Sequence, residues 1–586
     1  MKDDQKNFIL FALFAALMLF GWPLVTSKFF PAANPPVTTI QGGKTRPVAA
    51  PTSAAATPAA GTPGAVRDRK LVLAESPRVR IATPALSGSI NLKGARIDDL
   101  VLTTYKETID KNSPPIRLLS PAGTAESYFA SFGWTGDNVA VPDKNTLWTA
   151  DKPALVPGQP VTLSWQNPQG LIFQIIVSID EHYMFSVTQK VGNRGTAPVS
   201  VRSYGVVSRL GATKDVDAWT NHIGPIGVFG TGATYDIGYP NLAGKEASFF
   251  GKLFGSDAKP GANYFDATGG WVGFSDKYWL AALIPDQKAP VHSGFPAANG
   301  DAYQADYSTQ PVTIAPGTVN VQSARFFAGA KEVRLTDHYQ DDLGIRNFDK
   351  AIDWGWFRIV EKPIFYYLDW LFRMVGNFGV AIILLTLTIR GLLFPIAQRQ
   401  FASMANMRAI QPKMKALQEK HKDDKARQQQ EIMALYKAEK VNPLAGCLPT
   451  FLQIPIMYSL YKVLLVTIEM RHQPFVLWIK DLSAPDPLTP LNLFGILNFT
   501  PPHMIAIGVI PILLGISMYF QFKLNPAPMD EAQKQVFAIM PWVLMFVMAP
   551  FAVGLQVYWI TSNCLTILQQ RLLYARHPGM KVAVAK

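Results

Sequence analysis

Hydrophobic and polar positions follow two rhythms along this chain, and the change between them divides it. Between residues 67 and 345 the apolar positions come in short alternating runs. Val161, Leu163 and Trp165 are separated by polar neighbours, as are Phe185, Val187 and Val191, with Gln189 interrupting the apolar series. Period two is the rhythm of a strand with one buried face. Clusters such as Asn193-Arg194-Gly195 and Gly230-Thr231-Gly232 supply turns between the runs. No helical pattern alternates with the strands, so the region predicts a large all-β sandwich rather than a parallel sheet.

Outside that region the rhythm lengthens. Phe8 to Val25 is a run of 18 residues without a charge, at the lower limit for spanning ~30 Å of hydrocarbon. Gly21-Trp22-Pro23 replaces a small-x-small cleavage site, so residues 1–30 are expected to be an uncleaved anchor rather than a signal peptide. Residues 31–66, rich in Pro, Ala, Thr and Gly, are expected to be a flexible tether. In 346–374, Trp356, Val360, Ile364, Tyr367 and Leu371 recur at helical spacing, with Arg358, Glu361, Lys362 and Asp369 between them. This predicts an amphipathic helix in a membrane interface, or else one packed on the β domain.

Five apolar runs follow: Val375 to Ala397, Leu444 to Ile468, Met504 to Phe522, Val536 to Ala549 and Ala552 to Gln570. In lipid only helices and closed barrels satisfy the backbone, and runs of this length mean helices. The predicted fold class is a polytopic α-helical membrane protein with six transmembrane helices, five of them forming a core over 375–575, plus one large all-β domain over 67–345.

Charge adds an orientation. Of 586 residues 17% are charged and 48% hydrophobic, with a formal net charge of +13. Residues 67–345 carry a net −1, whereas 346–586 carry +11. A basic surplus in the most apolar part of the chain is a topology signal rather than a nucleic-acid footprint. The loop 399–442 holds 10 Lys+Arg, the connection 469–503 holds 2, and the tail from Arg571 holds 4 with no acid. Counting Lys and Arg near the spans puts both termini, the 399–442 loop and the basic tail 576–586 inside, and the β domain outside. Within that loop Met404, Met407, Ile410, Met414 and Leu417, then Ile432, Leu435 and Tyr436, flank the polar stretch His421 to Lys425. They predict a helical hairpin with a polar tip.

Candidate chemistry is sparse. Arg390 lies 15 residues past Val375, roughly 22 Å into the span, and should face the bundle interior or a wet cavity, or else snorkel to the inner surface. No Asp or Glu occurs in the five runs to pair with it. Thr386 stands one turn before it, and Gln453, Gln521, Gln556, Ser562 and Asn563 could line the same cavity or bond helix to helix. Lys462, near the opposite boundary, is expected to snorkel. Cys447 and Cys564, the two cysteines, lie in apolar runs and are expected to be buried and inert. The eight histidines form no HxxxH or HExxH pair, there is no GxSxG, and Gly43-Lys44-Thr45 lacks the first glycine of a phosphate loop. No catalytic residue, metal or cofactor is expected.

Four blocks then identify a relative. TIRGLLFPIAQRQFASMANMRAIQPKM (388–414), ALYKAEKVNPLAGCLPTFLQIPIMYSLY (434–461), FVLWIKDLSAPDP (475–487) and YWITSNCLTILQQRLL (558–573) closely resemble the YidC family of membrane protein insertases, which shares its core with the mitochondrial Oxa and chloroplast Alb proteins. The anchor and β domain resemble the Gram-negative form, with its periplasmic β-super-sandwich, by layout more than by motif.

The resemblance implies a bacterial inner-membrane insertase and chaperone for nascent membrane proteins, not an enzyme. It implies a hydrophilic groove open to cytoplasm and lipid, with Arg390 as its arginine and Thr386 lining it. The family often has Tyr-Tyr where this chain has Tyr558-Trp559, so an aromatic surface is kept but the second phenol is lost. Gln453 and Ser562 are further groove candidates. The hairpin 399–442, with Met404, Met407, Arg408 and Met414, is implied to receive substrate and to work at the ribosome. The Sec translocon, its accessory subunits and the lipid bilayer are the other implied partners. Two other readings remain: a secondary transporter, disfavoured because no internal repeat is visible, and an anchored sugar-binding or sugar-isomerising protein acting through the β domain.

Overall fold

A computed structural model describes residues 66–213, 221–245, 260–398, 410–421, 424–439, 448–495, 497, 507–524 and 531–576, with two short strands upstream. The expected anchor 1–30, most of the tether, Met404, Met407, Arg408, Cys447 and the tail beyond Arg576 lie outside the described residues. Thr39–Gln41 and Lys44–Arg46 pair antiparallel inside the stretch expected to be a flexible, partly extended tether. The chain divides into two compact units, Met1–Asp353 and Trp354–Lys586.

The first unit holds two large sheets. The eight-stranded sheet runs in the order Gly224–Val228, Trp271–Ser275, Trp279–Pro285, Val319–Ala330, Met184–Asn193, Leu171–Ile179, Val161–Gln166 and Thr149–Ala150. The eleven-stranded sheet is built around Val199–Leu210, Tyr128–Gly136, Arg96–Lys106, Leu86–Asn91 and Arg78–Ala82. Among the described residues the pairing is antiparallel except between Arg78–Ala82 and Ala154–Leu155, a short parallel contact that the turn pattern did not announce.

Alternation explains why these segments are strands. Leu171–Ile179 buries every second residue along its whole length, and in register Val177 faces Val187 while Phe173 faces Val191. The two sheets meet through aromatic side chains. Trp134 packs edge-on against Phe173 at 5.1 Å, and Phe132 against Phe326 at 6.5 Å. Gln189, the break in the apolar series, is buried and donates from Nε2 to the carbonyl of Gly133 at 2.7 Å. It belongs to one sheet and Gly133 to the other, so the polar interruption is a hydrogen bond between layers. Buried amides are tolerated when paired in this way.

The second unit is helical. Arg358–Val375 and Phe378–Leu392 are joined by Gly376 and Asn377. Gly376 takes a φ of 68° and its N–H bonds Phe372 O at 2.7 Å, a left-handed stop that favours glycine. Asn377 then starts the next helix, its Oδ1 accepting from Val380 N at 3.1 Å while Nδ2 donates to Phe475 O at 2.9 Å. Leu448–Val466, Val509–Leu524, Glu531–Met548 and Val553–Arg576 complete the bundle. The last of these packs against 509–524, 378–392 and 448–466. Among the described residues no helix is long and apolar enough to cross a membrane.

The amphipathic helix differs in phase from its expectation. Its buried face carries Glu361, Phe365, Leu368, Asp369 and Leu371, while Ile359 and Trp370 point outward. Two carboxylates expected among the solvent-facing residues are thus turned inward, and Asp369 is reached by Arg373 Nε at 3.0 Å one turn along. Gln411–Lys420 and Lys425–Ala438 form the predicted hairpin arms. Met414 is buried between them, with Tyr436 Oη 3.1 Å from its sulfur, and Lys413 pairs with Glu439 at 2.6 Å.

Candidate functional site: a polar seam on the C-terminal helix

Three helices bring the polar candidates together. Tyr558 and Ser562 are four residues apart on 553–576 and therefore share one face. From the 448–466 helix, Gln453 Nε2 donates to Tyr558 Oη at 2.5 Å. From the 378–392 helix, Arg390 Nε donates to Ser562 Oγ at 3.1 Å, and a terminal guanidinium nitrogen donates to the same oxygen. The two contacts are stacked one turn apart. Arg390 is only half-buried, and no carboxylate among the described residues lies within ion-pair distance of it. Its remaining donors are therefore not engaged by a counter-charge, and the guanidinium keeps a fixed positive charge.

Other candidates are placed differently. Thr386 is 1% exposed, and its hydroxyl donates to Ile382 O at 2.7 Å. It is closed inside the bundle rather than lining an open surface, and burial is tolerated because its hydroxyl is satisfied by the preceding turn. Trp559 is half-buried beside the fully buried Tyr558. Asn563 bonds Ser517 Oγ at 2.9 Å, and Gln556 bonds the carbonyls of Met548 and Phe551. These two are helix ties. Gln521 is half-exposed.

Two expectations are corrected. Lys462 is 2% exposed rather than reaching out, with its amine next to Gly355. Its helix packs on 358–375, the helix with the buried carboxylates, so the amine is held inside the unit. Cys564 is exposed, since it follows Ser562 and Asn563 on the helix and so points away from the side they bury.

One organising residue escaped the sequence reading. Asp486 accepts from Trp478 Nε1 at 3.0 Å, Leu488 N at 3.0 Å and Ile510 N at 2.8 Å. It closes the 475–487 loop and satisfies an amide in the first turn of 509–524. The signal was there in the proline-flanked APDP stretch, but nothing in it locates Ile510, which is 24 residues away.

Two family models divide the chain near the boundary between its two units. A family model described as the YidC periplasmic domain matches residues 78–367, and one described as 60Kd inner membrane protein matches 370–580. The chain is 49% identical over 577 residues to the membrane protein insertase YidC of Zymomonas mobilis, covering 98% of this chain and 96% of that one. It is 48% identical to the YidC of Methylorubrum extorquens, covering 90% and 86%. Among solved structures, a crystal structure of an active YidC insertase matches 84% of this chain and 92% of its own at 16% identity, with a TM-score of 0.36. With most of its length matched at nearly half identity, the chain belongs to the YidC family of membrane protein insertases.

Proposed function

We propose that the chain inserts nascent membrane proteins by offering their polar flanks a wet, positively charged half-path beside Arg390. The carrying observation is that Arg390 is half-buried and bonded only to the neutral Ser562 hydroxyl among the described residues. A segment crossing the membrane must carry polar groups through hydrocarbon, at a cost of several kcal/mol each without partners. A hydrated recess reaching partway in shortens that path. The guanidinium attracts a carboxylate at ~4 Å by about 4 kcal/mol at an effective dielectric near 20. That is strong enough to draw in an acidic tail and weak enough to release it. Burial of the apolar segment in lipid then drives departure.

In this reading the five C-terminal runs and the N-terminal run span the bilayer, with both termini and the 399–442 hairpin cytoplasmic and the β domain periplasmic. Support comes from large apolar side chains facing outward along the helices, among them Leu387, Leu392, Phe520, Ile539, Val543, Phe546 and Leu568. Outward apolar faces of this extent suit lipid as the surrounding solvent. Half-buried Gln453 and Trp559 stand with Arg390 along the path of the substrate, and the buried Tyr558 and Ser562 hold Gln453 and Arg390 in place from behind. The basic hairpin is the receiving surface for nascent chains at the ribosome, and the Sec translocon is a working partner. The activity is a binding and transfer step with no covalent chemistry.

The test is insertion into proteoliposomes. Arg390→Ala should impair substrates with acidic translocated tails more than matched substrates with neutral tails. Equal insertion of both would remove the arginine from the mechanism.

A further inference from the structure

The β unit contains a cavity of about 340 Å³ that the insertase reading does not use. Its floor is a patch of the eleven-stranded sheet. Arg96 stands opposite Ser131, Ser131 opposite Val206, Phe129 opposite Ser208, and Gly133 opposite Tyr204. Residues in such register present their side chains to one face. Gly133 is required here, because a Cβ would lie 2.6 Å from the Tyr204 hydroxyl. The glycine lets the tyrosine ring lie across the floor. Trp148, buried and stacked toward Trp134, forms part of a wall.

The charges in this cavity are unequally committed. Each of its carboxylates already has a partner. Glu75 is held by Arg67, Asp98 by Arg78, and Asp143 by the Asn145 amide and the Thr146 hydroxyl, both at 2.9 Å. Of the lining cations only Arg67 is so engaged among the described residues, through Glu75. Arg96 makes no hydrogen bond and no ion pair among the described residues, and its guanidinium instead lies 4.8 Å above the Phe129 ring. Lys93 and Lys144, also lining the cavity, have no ion pair among the described residues. Burial works against the charge of Arg96, and the attraction of Asp98 offsets this only in part. A guanidinium placed over an aromatic ring with its donors unspent matches a planar, bidentate acceptor.

We propose that this cavity is a binding site for a carboxylate carried on an apolar flank, as presented by an acidic residue beside an aromatic one in an extended peptide. The carboxylate bonds Arg96, and the flank lies against Phe129, Trp148 and Tyr204. The volume accommodates a few side chains, since it equals the liquid volume of about eleven waters. The site is independent of Arg390 and of the helical unit.

Titration calorimetry on the full chain in detergent, with N-acetyl-Phe-Glu-amide against N-acetyl-Phe-Gln-amide, tests it. The Glu peptide should bind about ten-fold more tightly, the worth of one charge-assisted pair. Arg96→Gln should erase that preference while near-ultraviolet circular dichroism stays unchanged. Arg96→Lys should restore part of it. If Arg96→Gln does not fold, Lys144→Gln at the rim should still weaken the Glu peptide measurably. Glucuronate is a second arm. Saturable binding lost in Arg96→Gln would support the carboxylate site and identify a sugar acid as its source. If neither the Glu peptide nor glucuronate shows saturable binding that depends on Arg96, the proposal is overturned.

Discussion

Arg390 and Ser562 are joined by two hydrogen bonds that converge on one oxygen, with Nε at 3.1 Å from Oγ and a terminal nitrogen on the same atom. A neutral hydroxyl positions the guanidinium without cancelling its charge. Ser562→Ala should therefore cost about 1.5–3 kcal/mol of bundle stability, the range for hydrogen bonds to charged groups. It should reduce insertion of acidic-tailed substrates less than Arg390→Ala does, because the charge remains. Protease-protection assays on the two variants in proteoliposomes separate positioning from charge.

Gln189 ties the two sheets of the β unit through Gly133 O. Gln189→Leu leaves a buried carbonyl without that partner and should lower stability by about 1–3 kcal/mol. Gln174→Leu, at a half-exposed position on the adjacent strand, should change it by less than about 0.5 kcal/mol. Thermal unfolding of both variants followed by circular dichroism gives the comparison.

Asp306 is buried in the eleven-stranded sheet, and burial raises its carboxyl to about 6, although Gln304 and Tyr264 both donate to it at 2.7 and 3.1 Å. The folded chain holds this proton more tightly than the unfolded chain does. Its stabilising contribution is therefore complete below the ordinary value of 3.8 and is lost as pH rises through about 6. The span corresponds to about 3 kcal/mol. Asp306→Asn should remove this component, so the stability difference between variant and wild type should grow in the variant's favour between pH 4 and 7. Melting temperatures of both chains across that window measure it.

Asn377 starts the 378–392 helix and also holds the 475–487 loop through Phe475 O. Asn377→Ala should cost about 1–2 kcal/mol. Asn377→Asp keeps the acceptor for Val380 N but loses the donor to Phe475, so its cost should fall between alanine and wild type. Denaturant titration of the detergent-solubilised chain ranks the three.

Local pattern is enough to assign element type wherever one face of an element decides burial. The period-two runs became strands, the 399–442 pattern supplied two hairpin arms, and the polar spacing on 553–576 placed Tyr558 and Ser562 on one face. The family was legible too, because its long blocks lie where the helices that form the polar seam must pack. What a single segment cannot encode is which distant group meets which face. The sequence left Gln189 as an irregularity, and only the second sheet made it a bridge. It left Lys462 free to reach outward, and packing of its helix on 358–375 enclosed it. The same packing turned Glu361 and Asp369 inward, and Thr386 was buried while Cys564 was left exposed. Periodicity sets the faces an element has; the partner that buries each face comes from contacts between distant parts of the chain, 56 residues apart for Gln189 and 172 for Arg390, and those exist only in the folded molecule.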